Sequence, residues 1–249
     1  NDKPPYFRRA LEESPDFSDF AEPGGNGIHG AGSHIRSRER KAKDIATMYG
    51  MMTMLDTYIG KIIDKLEALG LAEETLICFT TDHGDFWGQH GLVAKAIHHY
   101  EDLLRVPLVV SMPGTIPEGV ISESLQSTVD LAPTFMSFAG LDVPGTMSGI
   151  DEKDVWTGDR ETIRDHVMVE NQHQPTTMNL RTFINQNYKM TIHYRREYGE
   201  LYDLAADPGE MVNLWDSPHH TDIKSELLLE FLYGEMAKAP LPMPRISGA

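Results

Sequence analysis

The stretch Thr75-Leu-Ile-Cys-Phe-Thr-Thr-Asp-His-Gly-Asp-Phe-Trp-Gly-Gln-His-Gly-Leu-Val-Ala-Lys95 decides the fold. Its first seven residues are a continuous β-prone run, the pattern of a strand buried on both faces as in a parallel sheet. The run stops abruptly at Asp82-His83-Gly84. In open α/β sheets, ligands bind just beyond the carboxyl ends of the strands, and Asp82 and His83 stand at that place. A carboxylate and an imidazole on a rigid strand end can face one divalent cation, and Gly84 lets the backbone turn away at once. Lys95 follows in a Gly-rich loop, close enough in sequence to reach back to an anion. Taken alone, an Asp-His pair is more often a satisfied strand-end hydrogen bond than a metal site.

Outward from this stretch the chain alternates. Upstream, Ile45, Met48, Met52, Leu55, Ile59, Ile62, Leu66 and Leu69 recur at steps of three and four. That spacing predicts a long amphipathic helix, stopped by Gly70. Downstream, Val106–Met112 is a second buried run closed by Pro113-Gly114, and Leu131, Phe135 and Phe138 give helical spacing up to Gly140. Helix, strand, loop, strand, helix is the order of a layered α/β domain. After about residue 150 the texture changes to short strands over His166–Glu170, Leu180–Asn185, Tyr188–Tyr194 and Glu200–Leu204, an antiparallel meander. A helix over Thr221–Ala237 follows, with Leu227, Leu228, Phe231 and Leu232 as its apolar face. The expected organisation is an irregular Pro/Gly-rich lead-in over 1–36, an α/β core segment over 37–150 and a smaller α+β subdomain over 151–249, an antiparallel sheet plus a helix.

Composition narrows the function. Thirty-eight acidic against 22 basic residues give a formal net charge of −16. With no basic surplus to neutralise phosphates, a nucleic-acid partner is not expected. Anionic ligands must be held by a specific site, through a few local cations or a metal. One cysteine, Cys78, excludes an intrachain disulfide framework. No run of 18 apolar residues exists, so no membrane span is expected. The N-terminus has no apolar leader-like region and does not begin with Met, so it reads like the middle of a longer protein.

The wider pattern is more specific than the Asp-His pair. Thr81-Asp82-His83-Gly84, Gly88-Gln89-His90-Gly91, Lys95, Tyr100-Glu101 and Arg105-Val106-Pro107-Leu108 follow one another. Met54-Leu55-Asp56-x-x-Ile59-Gly60 precedes them. Val129-Asp130-Leu131-Ala132-Pro133-Thr134 and Gly199-Glu200-Leu201-Tyr202-Asp203-Leu204-x-x-Asp207-Pro208-Gly209-Glu210 come after. In order and spacing these resemble the type I sulfatases of the alkaline phosphatase superfamily, from about residue 40 to the end. The resemblance implies an alkaline-phosphatase-like sandwich core segment and hydrolysis of a sulfate ester. It implies that Asp82 and His83 coordinate the active-site cation and that Lys95 binds the sulfate oxygens. The family typically holds Ca2+, whereas a His ligand favours softer metals, so Mn2+, Zn2+ and Mg2+ stand as alternatives.

The resemblance also says what this stretch lacks. Sulfatases attack with a formylglycine made from a Cys/Ser-x-Pro-x-Arg motif, and no such motif occurs here. The early Asp-Asp pair and the Pro-His-x-Pro segment are absent as well. The chain therefore reads as the C-terminal portion, inactive alone, with the missing N-terminal half as its partner and a sulfated small molecule or carbohydrate as substrate. Rival readings are a phosphonate monoester or phosphodiester hydrolase on the same fold, and a non-catalytic half-domain that binds an anion or a partner.

Further candidates carry weaker expectations. His90, in Gly-x-His-Gly, either shapes the loop by a hydrogen bond or touches substrate. His98 and His99 either face the pocket or lie exposed on the loop. His173, within Asn171-Gln172-His173-Gln174, either presents polar groups to a sugar or sits in an ordinary turn. Asp85 is a possible outer partner of the metal site, and Cys78 reads as a packing residue.

Overall fold

A computed structural model describes residues 3, 4, 16, 18, 38–95, 97–172 and 178–238. The lead-in with its His29 and His34, and also His173, thus fall outside the described residues, Lys3, Pro4, Asp16 and Ser18 excepted.

Helix α1, Arg38–Ala68, realises the three-four periodicity over 31 residues. Gly70 ends it at φ +67°. Leu71 N donates to Leu66 O at 3.0 Å and Gly70 N to Glu67 O at 2.9 Å. This left-handed cap satisfies the last carbonyls, and a side chain at position 70 would be strained. Strand β1, Ile77–Thr80, follows, then a small hairpin of β2, Phe86–Trp87, and β3, Val93–Ala94. A one-turn helix α2, Glu101–Leu104, leads to β4, Leu108–Ser111. Helix α3, Leu131–Phe138, ends this part, and α4, Lys153–Trp156, just past residue 150, packs back on it through Val155 and Trp156.

Here the structure corrects one expectation. Among the described residues, β1 and β4 form a two-stranded antiparallel sheet, pairing Ile77 with Ser111 and Thr80 with Leu108. Neither strand is buried on both faces. Leu76, Leu108, Val110 and Met112 pack on Ile116, Val155, Trp156 and Phe138. The opposite face bears Phe79 and Val109, the latter 60% exposed. The composition of a two-sided strand is present, but only one side has a neighbour.

The motif around Asp130 explains itself as architecture. Asp130 accepts hydrogen bonds from Ser127 N and Ile150 N, both at 2.8 Å, and pairs with Arg164 at 2.5 Å. Thr134 Oγ1 donates to Asp130 O and accepts from Glu152 N at 2.9 Å. One buried carboxylate thereby satisfies two turns and one guanidinium, which its desolvation requires.

The second half is the expected meander: β5 (His166–Gln172), β6 (Asn179–Asn185), β7 (Tyr188–His193) and β8 (Gly199–Asp203), each antiparallel to the next. Helix α5, Thr221–Ala237, covers one face, burying Leu227 and Phe231 on Phe183, Met190 and Leu201. Leu228 and Leu232, expected on the same apolar face, are exposed. The helix is apolar nearly all round, so sequence spacing alone did not select which stripe packs.

The other face of this sheet is polar and equally buried. Period two puts Lys189, Thr191 and His193 on one side of β7, with Glu200 and Tyr202 on β8 and Thr182 on β6; all six are buried. What covers them is the segment Ile97–Leu103, which runs out of the hairpin. Phe86, Leu92, Tyr100, Leu103 and Tyr202 form the apolar part of that contact.

Candidate active site

The strand-end pair stands where the sequence puts it. Asp82 and His83 leave β1 at its carboxyl end, with the Asp82 side chain 85% and the His83 side chain 39% exposed. His83 N and Thr81 Oγ1 donate to Asp82 Oδ1 at 3.1 and 3.2 Å. The charge of His83 leads the effects that hold the Asp82 carboxyl below its ordinary range.

The histidine's orientation is the informative detail. Its Nδ1 lies 2.7 Å from Gly84 O. A carbonyl only accepts, so Nδ1 carries a proton, and Nε2 is the ring nitrogen left for a ligand. That nitrogen lies 3.7 Å from Asp82 Oδ2. A backbone carbonyl fixing one imidazole nitrogen while the other stays open is how metal-binding histidines are held. Gly84 serves this corner by close approach: a Cβ there would collide with Asp102 O, and Gly84 N donates to Leu103 O at 2.8 Å.

Asp82 and His83 fit one side of a divalent cation's coordination sphere. Among the described residues, no group of three His, Cys, Asp or Glu side chains converges on a common point. Asp85 Oδ1 is enclosed and has no hydrogen-bond partner in the described structure, an orphaned acceptor three residues from the pair. The donor chemistry is thus that of a partial site, one carboxylate and one open imidazole nitrogen.

Lys95 stands at the foot of the β2–β3 hairpin, exposed and with no carboxylate paired to it among the described residues. The histidines around it go inward. His90 has a side chain only 2% exposed, stacks on Tyr100 at 3.9 Å between ring centroids and lies 3.7 Å from Asp102. His98 and His99 are buried too, rather than exposed on the loop. His99 Nδ1 bonds Thr182 Oγ1 at 2.7 Å, and Tyr100 meets His98 edge-on. Burial drives all three down, His90 and His98 to about 4 and His99 to about 3. They are neutral packing groups at pH 7. Cys78, as expected of a packing residue, is half-buried with its thiol raised by burial.

The polar network beneath the site went unassigned in the sequence. Glu200 Oε1 accepts from Tyr100 OH at 2.7 Å and Tyr202 OH at 2.9 Å, and Oε2 accepts from His193 Nε2 at 3.0 Å. Burial alone would raise this carboxyl, but His193 and the two tyrosine hydroxyls outweigh it and hold it at about 2. Alongside, Lys189 pairs with Glu101 at 2.9 Å and Glu210 at 2.5 Å, and Glu210 Oε2 accepts from Glu101 N. Lys3 closes the top, its ammonium 4.5 and 4.7 Å from the Tyr100 and Tyr202 rings. The signal was available: a polar stripe at period two on β7 and β8, backed by an apolar stripe on the same strands.

A strand that delivers Asp and His to its carboxyl end, beside a hairpin that offers an exposed lysine, belongs to an alkaline-phosphatase-like fold. Within it, the chain belongs to the sulfatase family. Residues 3–141 match the sulfatase model, and residues 88–236 match the model for N-sulphoglucosamine sulphohydrolase, C-terminal. The N-acetylglucosamine-6-O-sulfatase of Bacteroides thetaiotaomicron is 32% identical over 182 residues, 70% of this chain and 32% of that protein. A solved structure in complex with its substrate, D-glucosamine-2-N,6-O-disulfate, matches at TM-score 0.71 and 29% identity, covering 75% of this chain and 39% of that one. The phosphonate monoester hydrolase of Agrobacterium radiobacter matches at TM-score 0.70 and 25% identity, covering 77% and 41%. The chain thus spans about a third of the curated relative's length. No helix among the described residues is long and apolar enough to cross a membrane.

Proposed function

We propose that this chain is the C-terminal portion of a sulfuric ester hydrolase acting on a sulfated carbohydrate. The observation that carries the reading is the His83 corner. Its Nδ1 is tied to Gly84 O, and its open Nε2 faces the Asp82 carboxylate at 3.7 Å, with the exposed Lys95 on the adjoining hairpin.

In this reading Asp82 and His83 hold a divalent cation, Ca2+ by family likeness, with Mn2+, Zn2+ or Mg2+ as alternatives. When bound, the cation supplies Lewis-acid polarisation of the group being transferred. Asp82 brings a hard anionic oxygen and His83 a neutral nitrogen donor. Lys95 binds the non-bridging oxygens of the sulfate and stabilises the charge that builds on them. His90, buried on Tyr100, shapes the hairpin rather than touching substrate. The nucleophile, a formylglycine, and the remaining metal ligands belong to a portion upstream. The same portion covers the apolar residues that α1 and the outer face of β1–β4 expose here.

The likeness to a phosphonate monoester hydrolase at 25% identity favours one second reading, the same half-site serving phosphonate or phosphate esters. Both readings are tested on the full-length enzyme that contains this chain. Release of sulfate from sulfated sugars should exceed release of phosphonate or phosphate from matched esters, and Lys95→Ala should lower kcat/KM about a hundredfold. A preference for the phosphorus esters would establish the second reading. Unchanged turnover in Lys95→Ala would remove both.

A further inference from the structure

Lys95, itself exposed, stands between two anchors. On one side is the β2–β3 hairpin, whose Phe86 and Leu92 are buried. On the other is Ile97–Tyr100, four consecutive buried residues. Two side chains of this second anchor are locked to the C-terminal sheet, His99 through Thr182 and Tyr100 through Glu200. Tyr100 also reaches back to the first anchor, because its ring stacks on His90 in the hairpin turn. Tyr100 thus joins the hairpin, the segment after Lys95 and the Glu200 carboxylate.

That carboxylate is a hard fixed point. It is buried, held ionised at about 2, and accepts three hydrogen bonds. Charge-assisted bonds of this kind are short and geometrically demanding, so the Tyr100 hydroxyl has little freedom. Any shift of Tyr100 carries His90 with it, and with His90 the hairpin whose foot bears Lys95. Small displacements of a group that contacts the reacting atoms cost large factors in rate.

We propose that Tyr100, clamped by Glu200, is a positioning residue for Lys95, so that the C-terminal sheet sets turnover as well as stability. This rests on the reading of Lys95 as the sulfate-binding cation. Tyr202 supplies the control. Its hydroxyl donates to the same Glu200 oxygen and also accepts from Lys3 at 3.1 Å, but its ring lies on β8 and is not the one stacked on His90.

The test uses the full-length enzyme with Tyr100→Phe, Tyr202→Phe and Lys95→Ala, read by thermal midpoint, kcat, KM and inhibition by inorganic sulfate. Both phenylalanine variants keep the ring and lose one bond to Glu200, and Tyr202→Phe should lower the midpoint at least as far as Tyr100→Phe. Tyr100→Phe should nevertheless lower kcat about tenfold and weaken sulfate inhibition, while Tyr202→Phe stays within about twofold of the parent. Equal turnover in the two variants, whether both fall or neither does, overturns the positioning role even if Lys95→Ala abolishes activity. Unchanged turnover in Lys95→Ala removes the sulfate-site reading itself, and the proposal with it.

Discussion

The two halves of this molecule invert the usual rule about what goes inside. In the first half, α1 shows Met52 at 55% and Leu55 at 57% exposure, and the outer face of β1–β4 shows Phe79 and Val109. In the second half, Lys189, Glu200, Glu210, His193, Thr182 and Thr191 are buried. Apolar surface left in water costs about 25 cal/mol per Å2; an ionised group taken out of water costs more unless it is paired. The first half tolerates its exposure because no partner is required for a helix to form once its backbone bonds are made. The second half tolerates its burial only because nearly every charge meets another. The second half closes its charges against one another and against Ile97–Leu103 of the first, whereas the first half leaves an apolar face exposed.

The largest effect should come from breaking the buried pairing. Lys189→Met removes the cation shared by Glu101 and Glu210. Burial already pushes the Glu210 carboxyl up despite Lys189. Without the lysine, an enclosed carboxylate faces no charge, a situation that costs about 3–5 kcal/mol. Urea denaturation should show that loss, and adding Glu210→Gln should restore part of it by removing the stranded charge. A loss under about 1 kcal/mol in the single variant would mean that the network behaves as a solvated surface pair, and the contrast between the halves would fail.

Acid should act next, on the contact between the halves, and the sign follows from which state binds protons. Three buried histidines have folded pKa values of about 3–4 against an ordinary 6.5. Between those limits the unfolded chain binds more protons, so their stabilisation is complete above about pH 6.5 and lost as pH falls. Each contributes a slope of about 1.4 kcal/mol per pH unit in that window. Glu200, held at about 2 from an ordinary 4.5, adds a loss in the same direction as pH drops below about 4.5. Glu152 opposes them: burial raises it to about 7, so its contribution fades as pH climbs from about 4.5 to 7. Glu210 and Asp102, whose carboxyls burial also raises, act in the same sense as Glu152, and the three histidines, shifted furthest across this window, leave a net loss on acidification. Urea midpoints between pH 7 and 4.5 should fall steadily, and a flat profile would show that these histidines are hydrated.

How far the sequence carried these conclusions differs between the halves for the same physical reason. The α1 periodicity, the Gly70 stop, the meander and α5 were legible because local hydrogen bonding and side-chain period suffice to define them. Asp82, His83 and Lys95 were legible as types at a strand end. The antiparallel pairing of β1 with β4 was not, since an apolar run reads alike whichever strand lies beside it. Nor was the inward turn of His98 and His99: nothing in a His-His dipeptide tells whether Thr182, 83 positions away, will meet it. The clamp through Tyr100 and Glu200 was present in the sequence as two motifs, Tyr100-Glu101 and Glu200-Leu201-Tyr202. Their contact spans 100 positions, and only the fold joins them.

The smallest effect on stability belongs to the exposed face of α1, and it is the one that sharpens the contrast. Met52 and Leu55 are exposed in this chain, so replacing both with glutamate should change the unfolding free energy by less than about 0.5 kcal/mol each. Their consequence should appear between molecules instead. Contiguous apolar surface on a helix associates, and the net charge of −16 is spread too widely to prevent contact at one face. Sedimentation of this chain at rising concentration should show oligomers that the Met52→Glu, Leu55→Glu variant loses, while its urea midpoint stays put. In the full-length enzyme the same pair of substitutions should be strongly destabilising, because the face is then covered. A monodisperse parent chain at high concentration would show that the exposed face of α1 is no interface, and the contrast between the halves would lose its meaning.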